Sequence, residues 1–66
     1  MIRQLLLEIN MVDKLEILVK NNFNSKKLEE IDCDYIFPSL ISFGIELEDA
    51  KTINKCLFDH KNSIKY

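Results

Sequence analysis

Ser39-Leu40-Ile41-Ser42-Phe43-Gly44-Ile45 contains the only glycine of this chain. Glycine adopts the left-handed backbone that ends a helix at the least cost. The spacing therefore predicts a helix that stops at Phe43 and another that begins just past Ile45. Upstream, Pro38 is expected to be the first residue of the closing helix, where its missing N–H costs nothing. Leu40 and Phe43 are its expected buried positions. Downstream, the last and longest helix is expected to start near Glu46. Glu46, Glu48 and Asp49 fall in its first turn, where negative charge meets the positive end of the helix dipole. Leu47, Ala50, Ile53 and Leu57 form its apolar stripe. Lys61 and Lys65 sit toward its C-terminal end, with Ile64 and Tyr66 able to pack or fray.

Working back toward the N-terminus, Leu5, Leu6 and Ile9 form a short helical stripe. Asn10 reads as an N-cap, with Asp13 three residues on as an imperfect capping box. A second helix would run to about Asn22 with Met11, Leu15, Leu18 and Val19 inward and Ile17 off that face. Asn21-Asn22 ends it, and Phe23 returns to the core. Asn24 or Ser25 can cap a third short helix through Ile31, with Leu28 and Ile31 inward. Asp32-Cys33-Asp34 reads as a turn, because short acidic side chains bond back to the local backbone.

Bulk composition agrees with this reading. One glycine and one proline leave little turn material, and 47% hydrophobic with 30% charged residues is a globular balance. The expectation is one all-α domain over residues 1–66, a compact five-helix bundle with a long C-terminal helix. A chain of this size buries only about 60% of its unfolded surface, which leaves little room for a substrate cleft, so no catalysis and no cofactor are expected. The net charge of −2 gives no electrostatic footprint for nucleic acid. No apolar run is long enough to span a membrane. Cys33 and Cys56 are too few for a disulfide scaffold, and reduced thiols in an intracellular, cytoplasmic setting are the simpler reading.

The order and spacing of these apolar positions resemble a sterile alpha motif (SAM) domain from about Leu5 to Leu57. Leu5-Leu6 followed by Ile9-Asn10-Met11 is similar to the family's opening Phe-Leu and Ile-Gly-Leu. Phe23-Asn24 matches its apolar residue before Asp, and Leu28 with Ile31-Asp32 its third helix. Ser39 to Ile45 is similar to its Asp-Leu-x-x-Leu-Gly-Ile. Two departures stand out. About four extra residues, around Asp34 to Phe37, separate Ile31 from Leu40, and the family's Gly-His-Arg is replaced by Glu48-Asp49-Ala50.

The resemblance implies a protein-interaction module rather than an enzyme. SAM domains dock an acidic mid-loop surface onto a basic end-helix surface. Here it implies a mid-loop surface of Glu29, Glu30, Asp32, Asp34, Tyr35 and Phe37, and an end-helix surface of Ile45, Glu46, Glu48, Asp49 and Lys51. The second is acidic where the family is usually basic. Like charges across an interface cost several kcal/mol, so a head-to-tail self-polymer is not favoured. A heterotypic partner is expected, such as a SAM domain with a basic end-helix surface. The alternatives are a homo-oligomerising SAM domain and another small helical adaptor or inhibitor.

Other chemistry fits less well. Cys56 and His60 share a helix face, and Cys33 with Asp59 can be imagined completing a zinc site, but the paired ligand spacing of a zinc module is missing. Lys26, Lys27, Lys51 and Lys55 each neighbour acids, which suits solvated surface better than an RNA site. Phe43 to Leu47 looks like a segment of an acyl carrier protein, yet no Asp-Ser-Leu is present to hold the prosthetic arm. Tyr35 and Phe37 are read first as caps on a small core and second as interface anchors.

Overall fold

A computed structural model describes residues 2–63. Ile64, Lys65 and Tyr66 lie outside the described residues. Five α-helices follow one another: α1 (Ile2–Glu8), α2 (Leu15–Lys20), α3 (Ser25–Glu30), α4 (Cys33–Ser42) and α5 (Leu47–Ser63). A single 3-10 turn, Val12–Lys14, leads into α2, and no strand occurs among the described residues. The chain is an all-α bundle, as its composition predicts. None of its described helices is long and apolar enough to cross a membrane.

Three of the helix ends are built alike. At the end of α4, Gly44 has φ +94°. Its N–H donates to the Ile41 carbonyl at 3.0 Å, and the Ile45 N–H donates to the Leu40 carbonyl at 3.3 Å. This is the paired closure of a Schellman cap, with glycine in the left-handed position. Asn10, φ +62°, does the same after α1, with Asn10 N–H on Leu7 O (3.1 Å) and Met11 N–H on Leu6 O (2.8 Å). Asn22, φ +59°, repeats it after α2, with bonds to Val19 O (3.0 Å) and, from Phe23, to Leu18 O (2.8 Å). Asn10 is thus a C-terminal reversal and not an N-cap. Asparagine reaches left-handed geometry more readily than other side-chain-bearing residues, which is why it serves where the chain has no glycine.

Each cap carries the same side-chain arrangement. The leucine that accepts from the residue just past the reversal (Leu6, Leu18, Leu40) is fully buried, and that residue (Met11, Phe23, Ile45) turns back onto the core. The residue after each leucine (Leu7, Val19, Ile41) is rotated outward and exposed. That corrects the expected face of α2. Val19 is 63% exposed, while Ile17 packs against the core. Leu18 is the buried centre of that face, and Ile17 and Val19 lie about 100° to either side of it, so the core takes one flank and leaves the other to solvent.

The start of α4 is the second correction. Asp32 is its N-cap, and Cys33 and Asp34 are already helical, so Pro38 lies inside the helix and not at its first position. The residues 34–37 that looked like an insertion are its opening turns. A proline there leaves the Asp34 carbonyl without its helical donor and costs about 3 kcal/mol or more in a helix interior. Against this, the extra turns bury Ile36 completely and pack Phe37 on the core, each burial contributing up to about 1.5–3 kcal/mol. Pro38 faces solvent, where water can serve the orphaned carbonyl.

The core is assembled around α5. Ala50, Ile53 and Leu57 are fully buried, whereas Leu47, expected in the same stripe, is about half exposed in the first turn. α4 lies along α5, and α1 and α3 pack on it as well. Phe23 and Phe43 meet edge to face with ring centres 5.9 Å apart, which joins the second and third reversals. Asn24 caps α3, its Oδ1 accepting from Lys27 N–H at 2.9 Å.

If these reversals are left-handed caps, the substitution pattern is specific. Space around Gly44 is open, so Gly44→Ala meets no clash, and its cost is the strain of a β-carbon at positive φ, about 1–2 kcal/mol in urea unfolding. Asn10→Gly should stay within about 0.5 kcal/mol of the parent, whereas Asn10→Ser should lose about 1 kcal/mol. A neutral serine would mean that Asn10 opens a helix after all.

Candidate interaction surfaces

The junction of α3 and α4 gathers four carboxylates. Glu29 and Glu30 end α3, Asp32 caps α4 without a side-chain cap bond, and Asp34 lies in the first turn of α4. All four are exposed. With Ile31, Cys33 and Lys61 they line one shallow depression. Tyr35 follows at the next position and is exposed, while Phe37 is half-buried against the core. The two aromatics expected to act together therefore divide, one outward and one inward.

Lys61 is the cation in this depression. Its Nζ donates to the backbone carbonyls of Leu28 (2.7 Å) and Ile31. These carbonyls belong to the C-terminal end of α3, where the helix dipole is negative. The lysine lies one turn beyond Leu57 on α5, half-buried, with its ammonium on α3. Lys14 pairs with Asp13 (3.7 Å) and with Asp49 (3.5 Å). Neither pair involves Glu29, Glu30, Asp32 or Asp34.

The expected end-helix surface is rearranged by folding. Ile45 is 4% exposed and belongs to the core. Glu46 and Glu48 are exposed, and the Glu46 carbonyl accepts the first α5 bond from Ala50 N–H at 2.7 Å. Asp49 is half-buried and paired with Lys14. Lys51 lies on a different groove. The ten residues of α4 separate this end from the α3–α4 junction, a distance of about 15 Å at helical rise.

That groove runs between α1 and α5. Leu5, Ile9 and Cys56 are among its lining residues, along with Glu8, Lys51, Thr52, Lys55, Asp59 and His60. The Cys56 thiol donates weakly to the Leu5 carbonyl at 3.7 Å. Burial, followed by the nearby Glu8 and Asp59 carboxylates, pushes its pKa above the ordinary thiol value. Cys33 lines the α3–α4 depression instead, so the imagined zinc set is not brought together. Among the described residues no three Cys, His, Asp or Glu side chains converge on a metal position. Lys26 and Lys27 lie on α3 and Lys51 and Lys55 on the α1–α5 groove, so the lysines form no single patch.

Two contacts escaped the sequence reading. The Lys14–Asp49 pair joins residues far apart in the chain and carries no local signal. Lys61 had one, since it falls four residues after Leu57 on the buried stripe, where a lysine needs an acceptor for its ammonium.

The thiolate is the reactive form of cysteine, and raising the Cys56 pKa reduces its fraction at pH 8. Iodoacetamide should accordingly alkylate Cys56 more slowly in the folded chain than in urea, read by mass spectrometry. Glu8→Gln with Asp59→Asn should speed the folded-state reaction. Equal rates in all three would contradict the burial and charge assigned to this thiol.

Compared with protein-family models, with curated proteins and with solved structures, the chain matches none.

Proposed function

We propose that this chain is a small helical protein-interaction module of SAM-like architecture that binds a basic partner through the α3–α4 junction. The observation that carries the reading is the set of four exposed carboxylates, Glu29, Glu30, Asp32 and Asp34, on one depression with no ion pair to any of them among the described residues. The lysine beside them is engaged with backbone carbonyls. Such a surface attracts Lys or Arg side chains at long range and repels acidic ones. Tyr35, exposed one residue beyond Asp34, adds an aromatic face suited to a guanidinium.

The chemistry of the α5 N-terminus argues for a heterotypic partner. Glu46 and Glu48 remain exposed there, so a second molecule docking that end onto the α3–α4 junction would bring acid against acid. A SAM domain with a basic end-helix surface is the partner class that fits.

Calorimetric titration with such basic SAM domains tests the reading. Neutralising Glu29, Glu30, Asp32 and Asp34 to their amides should weaken binding by at least about ten-fold, and the parent affinity should fall as salt rises. Glu46→Gln with Glu48→Gln should leave it nearly unchanged. Undiminished binding by the fourfold amide variant, with its helical content intact, would overturn the proposal.

A further inference from the structure

α3 is, with α2, one of the two shortest helices. It has six residues and one buried side chain, Leu28, and α5 is the element it packs on most. A helix this short does not persist without tertiary support. On the entering side Phe23 is buried against Phe43 and fixes the point from which α3 departs, Asn24 caps the helix locally, and on the leaving side Ile31 is only half-buried. The remaining attachment is the Lys61 ammonium, which spans from α5 to the Leu28 and Ile31 carbonyls. These two acceptors flank Glu29 and Glu30, so the same bonds hold half of the acidic junction in place.

We propose that α3 is a locally opening arm latched to α5 by Lys61. Opening breaks the two ammonium–carbonyl bonds and lifts Leu28, while Ile36, Leu40, Ile53 and Leu57 keep α4 on α5. Hydrogen bonds from a charged donor are worth more than neutral ones, so with a single buried leucine beside them they set much of the opening equilibrium. The latch stands whether or not the acidic junction has a partner. If it does, the latch fixes where two of the four carboxylates are presented.

Amide hydrogen exchange followed by NMR tests this. The reporters are the α3 amides of Leu28 and Ile31, which donate to Asn24 O and Lys27 O, set against the amides of Ile53 and Leu57 in α5. In the unmodified chain the α3 amides should exchange faster than those of α5, with little dependence on low urea, the mark of local opening. Lys61→Met should speed the α3 amides by about ten-fold and leave the α5 amides unchanged. Lys61→Arg, which keeps a charged donor, should restore most of the protection. Two results would overturn the proposal: α3 and α5 amides exchanging together with the same urea dependence in the unmodified chain, or Lys61→Met acting on both groups equally or on neither. The urea dependence of the unmodified chain decides the matter even if the methionine variant does not fold.

Discussion

Left-handed residues at Asn10, Asn22 and Gly44 redirect the chain at the ends of α1, α2 and α4. A Schellman closure satisfies late helical carbonyls and also fixes the exit direction of the backbone. Here each closure returns an apolar residue toward a fully buried leucine five residues behind it, so one backbone event yields both a turn and a core contact. Short helices make this necessary. With six or seven residues, α1, α2 and α3 cannot sustain themselves on hydrogen bonds. Their stability comes from the side chains they and the reversals bury in the shared core.

The recurrence of Leu, an outward aliphatic, two variable residues, Asn or Gly, then an apolar residue can be read in the chain. The glycine version is legible because the chain has a single glycine. The asparagine versions are not, because asparagine also caps N-termini and local sequence does not separate the two roles. Pro38 misleads for a similar reason: its local preference for a helix start is overridden by the burial of Ile36 two residues earlier. Leu47 fits the stripe by spacing but falls in the first turn of α5, where no neighbouring element covers it.

The acidic junction was largely legible, since Glu29, Glu30, Asp32 and Asp34 are near neighbours in sequence and folding leaves them together. Its cation was not, since Lys61 arrives from the far end of α5, thirty residues away from Ile31. The expected end-helix surface was less legible still. Burial removes Ile45, Lys14 claims Asp49, and Lys51 turns toward the α1–α5 groove. Charge patterns read from sequence survive folding when they are local, and are redrawn when a distant side chain reaches them.

The account rests on the handedness of three residues, and solution NMR reads handedness directly. A residue with positive φ shows an intense NOE between its own amide and Hα protons, because the two lie unusually close. Asn10 and Asn22 should each show it, with helical carbon shifts ending just before them. A weak intraresidue NOE at Asn10, with helical shifts running on from that residue through Asp13, would place a helix start there and contradict the account.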